Sequence, residues 1–192
     1  MGWMPCNILK SVIPSLASPL SYLINRSFHE GKVPDLLKIA KVCPIFKNGS
    51  KSEFVNYRPI SVLPSIAKIF EKMVYVRLSS YLSKHDILIC NQFGFRKNYS
   101  TAHAVLHLVD KITEAIDNKQ FAAGIFIDLS KAFDTLDHNI LIGKLEHYGI
   151  RGVALNWFKS YFDNRTQYVD YNGVKSPYLK IKCGVPQGSI LG

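Results

Sequence analysis

The residues with the clearest chemical potential in this sequence are carboxylates and cations set beside apolar or glycine-rich stretches. Asp128 closes the run Phe121-Ala122-Ala123-Gly124-Ile125-Phe126-Ile127, which is nearly all apolar. A carboxylate at the end of a buried strand is costly to desolvate unless something pairs with it. A divalent cation would supply that pairing. A carboxylate that caps the next turn, through Ser130 or Lys131, is the simpler reading, and the residues alone leave both open. Asp137 stands just before an expected helix and reads as its N-cap. Asp134 has a spacing from Asp128 that does not demand a shared ligand, and it reads as structural. His103 and His107 lie one helical turn apart, a spacing compatible with a metal, but no third ligand accompanies them and an exposed helix face accounts for them more simply.

Two further groups are cationic or conformational. Lys47, Lys51 and Arg58 flank an expected hairpin near its turn. A basic hairpin can lie over phosphates, with Arg gripping them in a fork; a solvated turn is the plainer reading. Gly184-Val185-Pro186-Gln187-Gly188-Ser189 is a tight, glycine-flanked segment with one amide side chain. Small residues there let another backbone or a ligand approach closely.

The elements that must position these residues follow from periodicity and punctuation. Residues 8–29 are expected to be helical, with Ile8, Val12, Leu16, Leu20 and Leu23 on one face, ended by Gly31 and Pro34. Residues 39–46 are short, apolar and rich in branched residues, hence a strand. Asn48-Gly49 signals a turn, and residues 57–63 are the returning strand, confined to a sheet edge by Pro59 and Pro64. The spacing predicts a helix over 65–84, with Ile66, Ile69, Phe70, Met73, Val74, Arg77, Leu78, Tyr81 and Leu82 in register. Ser100 suits an N-cap for a helix through about residue 117, with Ala102, Val105, Leu108, Val109, Ile112 and Ile116 facing inward. Residues 121–127 read as a central strand buried on both faces. Residues 139–148 and 153–162 read as helices divided by Gly149. Residues 167–171 and 178–183 could pair around Asn172-Gly173. The mixed order of elements predicts an α+β fold.

Composition narrows the function classes. The 192 residues are 47% hydrophobic and 20% charged, enough apolar content for a core. Lys and Arg number 24 against 14 Asp and Glu, a formal net charge of +10. Such an excess suits a polyanionic partner or a solubilising surface. Cys6, Cys43, Cys90 and Cys183 form no CxxC pair, so they read as buried or idle thiols of a reducing compartment. No secretory signal is visible, and the uncharged stretch over residues 11–25 is too short to cross a bilayer.

The motifs gain meaning as an ordered set. Ile45-Phe46-Lys47 with Asn56-Tyr57-Arg58-Pro59-Ile60-Ser61 comes first, and Gln92-Phe93-Gly94-Phe95-Arg96 follows. Then come Phe126-Ile127-Asp128-Leu129-Ser130-Lys131-Ala132-Phe133-Asp134 and Gly184-Val185-Pro186-Gln187-Gly188-Ser189. This series resembles the fingers and early palm blocks of non-LTR (LINE-type) reverse transcriptases, and the similarity runs over almost the whole chain.

The resemblance implies a truncated right-hand polymerase. Residues 1–38 would be a helical lead-in, 39–120 a fingers-like region and 121–192 a partial palm, with the thumb and the rest of the palm outside these residues. It implies that Asp128 and the backbone carbonyl of Leu129 are metal ligands. Lys47 and Arg58 would hold the nucleotide triphosphate. Ala132 and Gln187 would lie at the nucleotide, and Phe133 would be the aromatic gate that rejects a ribose 2′-hydroxyl. Gly94, Arg96 and Gly188 would contact the template. The implied chemistry is phosphoryl transfer with two Mg²⁺ (or Mn²⁺) ions, one activating the primer 3′-hydroxyl and one steadying pyrophosphate. The implied partners are an RNA template, a DNA primer or target and deoxynucleoside triphosphates, with no membrane, in the nucleus or a cytoplasmic ribonucleoprotein. The family's aromatic-Ala-Asp-Asp block is not among these residues, so the chain alone is expected to be inactive. The rival expectations are a non-catalytic nucleic-acid-binding module and a truncated copy without selected function.

The charge leads to a direct prediction. The chain should bind structured RNA and DNA with little sequence preference, and the affinity should fall steeply as salt rises. Filter binding measures this, and absence of RNA retention at low salt would make the basic surface merely solubilising.

Overall fold

The computed structural model describes residues 6–192, without the Cys6 side chain. The Cys6 thiol and the first five residues of the helical lead-in therefore lie outside the described residues. The chain forms two compact units. One comprises Met1–Arg77 with Lys131–Gly192, and the other comprises Leu78–Ser130.

The first unit is an α+β assembly built on a mixed sheet. Helix α1 spans Cys6–Glu30, and β1 (Ile39–Phe46) and β2 (Tyr57–Val62) follow as a hairpin. Helix α2 (Ser65–Lys84) begins in this unit, and α4 (His138–His147), α5 (Gly152–Phe162), β3 (Thr166–Tyr171), β4 (Val174–Lys175) and β5 (Leu179–Lys180) complete it. The helix between them in sequence, α3 (Thr101–Asp117), belongs to the second unit.

The sheet order is β2-β1-β3-β4, with β5 also paired to β3. The β1–β2 ladder is antiparallel, from Lys41 opposite Val62 to Phe46 opposite Tyr57. Pro59 lies on β2, at the sheet's edge, as its missing N–H requires. β1 pairs with β3 in parallel, Ile39 opposite Thr166 through Val42 opposite Val169. The turn at Asn172-Gly173 folds β4 back on β3, and β5 takes the rest of that edge. The expected hairpin of residues 167–171 with 178–183 is therefore shared between two short strands.

The core of this unit has aliphatic and aromatic residues. Ala40, Leu63 and Ala67 cluster with Leu37. Trp157, Phe158, Tyr161 and Phe162 of α5 are all buried. Trp157 stacks on Tyr161 at 5.5 Å and meets Phe28 edge-on at 6.0 Å. Its indole N–H donates to Ser27 Oγ at 3.0 Å, and that hydroxyl in turn donates to the Lys32 carbonyl. The Val33 amide donates to Ser160 Oγ at 3.0 Å. α1 and α5 come so close that a Cβ on Gly31 would sit 2.9 Å from the Val153 carbonyl oxygen, and Gly31 has φ +64°.

Several sequence expectations need correction. The inward face of α1 is Leu9, Leu20, Ile24 and Ser27, whereas Ile8 and Leu23 are about half exposed. α1 carries apolar residues around much of its circumference, and α5 decides which of them pack. Pro14 and Pro19 are tolerated because they and the carbonyl-bearing residues one turn earlier, Lys10 and Ser15, lie on the exposed side. In α2 the buried stripe is Ala67, Phe70, Glu71 and Val74, with a carboxylate in its middle. Cys90 and Cys183 are exposed and Cys43 half-buried, so of the two expectations for the thiols, buried or idle, burial fails for these three.

In the second unit, α3 follows Ser100, whose capping box with His103 bears out the expected N-cap. Its expected inward residues Val105, Leu108, Val109, Ile112 and Ile116 are nevertheless exposed. Residues 121–127 form no strand, and Phe121, Ile125, Phe126 and Ile127 are 80–104% exposed. A strand exists only through hydrogen bonds to a neighbour. None of the described strands pairs with this segment.

The α1–α5 contact predicts a large effect from one substitution. Trp157→Ala removes the stacked ring and the donor to Ser27, and should cost about 3–5 kcal/mol. Urea denaturation measures it; a loss below about 1 kcal/mol, the size of a single hydrogen bond, would mean that the indole does not hold the two helices together.

Candidate nucleotide and template site

The ribbon of β1 and β2 presents the basic residues. Side chains alternate along a strand. Ile45 pairs with Arg58, so Lys47, two residues beyond Ile45, shares the face of Arg58. The Lys47 amide donates to the Asn56 carbonyl at 2.8 Å, which extends the ladder past the strand ends. The tip is fastened from within. The Asn56 amide group donates to the Ser50 carbonyl at 2.9 Å, and the Tyr57 hydroxyl donates to the Lys51 carbonyl at 2.9 Å. Phe46 meets Tyr57 edge-on at 5.5 Å, and the Lys51 ammonium lies 5.8 Å from the Phe46 ring centre. Lys47, Lys51 and Arg58 remain exposed, available to an anion.

The segment 183–190 joins this ribbon to the turn that carries Phe133. At its first end the Gly184 amide donates to the Leu136 carbonyl and the Val185 amide to the Phe133 carbonyl, both at 2.7 Å. His138 Nε2 lies 2.7 Å from the Gly184 carbonyl oxygen and donates to it, while the His138 ring stacks on Phe162 at 4.8 Å. A Cβ on Gly184 would fall 2.7 Å from the carbonyl oxygens of both Phe133 and Asp134, at φ +81°, so only glycine fits. At its other end the Ser61 amide donates to the Gln187 carbonyl at 2.8 Å. Gly188 lies against the Ser61 carbonyl and the Ile60 side chain. Ile60 shares the ribbon face of Arg58 by the same alternation. Phe133, Gln187, Gly188, Arg58 and Lys47 are thus tied together through one backbone segment within one unit. Ala132 is exposed in the turn that begins at Lys131.

Beneath the segment sits a buried polar cluster that sequence reasoning missed. Glu71, 2% exposed, accepts from the Tyr161 hydroxyl at 2.6 Å and from the Ile190 amide at 2.8 Å. Burial pushes the Tyr161 phenol well above the ordinary tyrosine range, with Arg165 pulling the other way, so the phenol stays protonated and donates. The Arg165 guanidinium lies 4.5 Å from the Tyr161 ring centre and donates to the Tyr161 carbonyl at 3.2 Å. The one signal for this cluster in the sequence was a glutamate falling in the apolar stripe of α2.

The remaining candidates divide between the two units. Asp137 accepts from the amides of Asn139 and Ile140 at 2.7 and 3.0 Å, which bears out its reading as the N-cap of α4. Asp134 is exposed, and its carbonyl accepts from the Cys183 thiol at 3.4 Å. Asp128 and Leu129 lie in the second unit, exposed and outside any helix or strand. Among the described residues no three His, Cys, Asp or Glu side chains come together to hold a metal ion, so the donors around Asp128 do not by themselves fit one.

In the same unit Arg96 is drawn inward. It donates to the carbonyls of Ile89 and Gln92 at 2.9 and 3.5 Å and lies 4.3 Å from the Tyr99 ring centre. Gly94 faces open space. His103 Nδ1 accepts from the Ser100 amide at 3.1 Å, a capping role, and His107 lies 5.6 Å from the Phe93 ring. These rings line an open cleft of about 430 Å³ with Asn98, Leu106 and Asp110. No described helix is long and apolar enough to cross a membrane.

Comparison with known proteins identifies the family. The family model for reverse transcriptase (RNA-dependent DNA polymerase) matches residues 45–192. The RNA-directed DNA polymerase from mobile element jockey of Drosophila melanogaster is 34% identical over 90% of this chain and 19% of its own length. The protein called "Probable RNA-directed DNA polymerase from transposon BS", from the same organism, is 33% identical over 97% of this chain and 21% of its own length. The chain thus spans about a fifth of the length of these curated relatives. The α+β architecture with its mixed sheet is consistent with a reverse-transcriptase-like polymerase fold. Matched over more than half of its length and along its ordered motifs, the chain belongs to the reverse transcriptase family, among those of non-LTR retrotransposons.

Proposed function

We propose that this chain is the nucleotide-receiving part of an RNA-directed DNA polymerase that extends a primer 3′-hydroxyl on an RNA template. The observation that carries this is the segment 183–190, fastened at one end to the Phe133 turn and at the other to the β1–β2 ribbon. Lys47 and Arg58, on one ribbon face, grip the triphosphate as separated cations, Arg in a fork. Gln187 and Ala132 lie at the nucleotide, and the Phe133 ring excludes a 2′-hydroxyl, selecting deoxynucleotides. Gly94, Arg96 and Gly188 follow the template backbone. Residues 39–120 serve as fingers and 121–192 as part of the palm, in a reducing intracellular setting.

Asp128, with the Leu129 carbonyl, is the ligand this chain offers to Mg²⁺ or Mn²⁺. Mg²⁺ keeps much of its water and binds a lone carboxylate poorly. Two-metal catalysis holds its ions about 3.5–4 Å apart, which takes several carboxylates in one place. These 192 residues, assayed by themselves, should therefore not polymerise. Positioning alone is worth roughly 7–11 kcal/mol of barrier, and each ~1.4 kcal/mol is tenfold in rate.

The test is primer extension with deoxynucleotides and Mg²⁺ on a primed RNA. It compares the 192-residue chain with a longer polypeptide that supplies further palm carboxylates. Product from the longer protein alone, abolished by Asp128→Ala, is the expected result. Product from the short chain that vanishes with Asp128→Ala would show that Asp134 or a second chain completes the metal site. RNA binding without extension by either protein would favour a non-catalytic binding module.

A further inference from the structure

The two ends of the segment 183–190 are held differently. The first end is stapled to the Phe133 turn by several backbone bonds and by His138. The second end, on either side of the exposed Gly188 at φ +106°, has the Ser61 amide on the Gln187 carbonyl and the Glu71 carboxylate on the Ile190 amide. Ser61 lies on an edge strand. Glu71 lies in the buried stripe of α2, and its second oxygen is engaged by the buried Tyr161 hydroxyl. A hydrogen bond to a carboxylate is roughly twice as strong as a neutral one. A buried carboxylate that loses a donor is left poorly solvated, so the bond resists opening. Arg165, itself buried, lies 4.5 Å from the Tyr161 ring centre and brings a positive charge into the same cluster.

We propose that Glu71 is a positioning residue: its carboxylate anchors Ile190 and thereby holds Gln187 and Gly188 against β2, in the place where they meet the incoming nucleotide. This rests on the reading of Gln187 as a nucleotide-side residue. Glu71 touches no substrate. It acts through the backbone of residues 187–190, so its loss should loosen that segment while the sheet and the α1–α5 core stay formed. Gln at this position can still accept from the Ile190 amide through its carbonyl oxygen and donate its NH₂ to the Tyr161 oxygen. Leu, of similar volume, can do neither.

The experiment uses amide hydrogen exchange and NMR on the 192-residue chain as wild type, Glu71→Leu, Glu71→Gln and Ile190→Pro. Ile190→Pro removes the amide donor without touching α2, should Glu71→Leu fail to fold. Glu71→Leu and Ile190→Pro are expected to speed exchange at the Ser61 amide at least tenfold while the Val42 amide in the β1 ladder is unchanged. Glu71→Gln should restore protection. Titration with deoxythymidine triphosphate and Mg²⁺, followed at the Gln187 side-chain amide, should show half-saturation at least tenfold higher in the first two variants and near wild type in Glu71→Gln. Unchanged Ser61 exchange in both Glu71→Leu and Ile190→Pro overturns the anchor. Loosened exchange with an unaltered nucleotide response overturns the positioning role and leaves Glu71 a packing residue. No nucleotide response even in the wild type refutes the nucleotide-side reading of Gln187 and with it the role assigned to Glu71, while the exchange data still judge the anchor.

Discussion

The parallel pairing of β1 with β3 is the contact on which the candidate site depends. β1 is joined to β2 in antiparallel and to β3 in parallel, and β3 carries β4 and β5 on its other edge. The ribbon that displays Lys47 and Arg58 is an extension of β1 and β2. The segment carrying Gln187 and Gly188 leans on β2, and the strands that lead into it, β4 and β5, hang from β3. Chain from both ends of the sequence therefore meets at β1, whose Ala40 and Val42 are buried at the junction. Parallel pairing always needs a long crossover. Here the crossover includes the whole second unit, so the candidate surface, made of distant motifs, is brought together by the β1–β3 pairing.

What holds the site in shape is mostly backbone. Amides of Ser61, Gly184, Val185 and Ile190 define where Phe133, Gln187 and Gly188 sit, and the side chains that serve them, His138 and Glu71, act as acceptor or donor to main chain. Such an arrangement sets the Cα positions of these residues through main-chain bonds. It also explains the glycines: the close approach of Gly184 to the Phe133 turn leaves no volume for a side chain. The buried Glu71, Tyr161 and Arg165 cluster supplies a polar floor in an otherwise aromatic core. It is costly unless satisfied, and two Arg165 donors still lack a partner among the described residues.

The second unit shows the opposite condition. α3 keeps a clean apolar stripe and residues 121–129 are nearly all apolar, yet both are exposed. Apolar periodicity states that a face prefers burial; it does not supply the partner. The aromatic and histidine rings around Phe93 and Tyr99 organise the loop locally, with Arg96 turned to its carbonyls.

By itself the sequence determined the local elements and their ends. The bounds of β1 and α2 are those read from residue pattern, and Ser100 and Asp137 cap the helices they precede. Pro59 marked β2 as an edge, and Asn172-Gly173 marked a turn. The ordered motifs sufficed for the family, because each motif is a short run whose residue types are visible without its neighbours in space. Only the tertiary structure decided the β1–β3 pairing, the face of α1 that packs on α5, the burial of Glu71 and Arg165, and the exposure of residues 121–127. Caps and turns are satisfied by atoms a few residues away, so they can be read along the chain. Burial and strand pairing are satisfied by atoms far away in sequence, and which distant segment supplies them is settled when the chain folds.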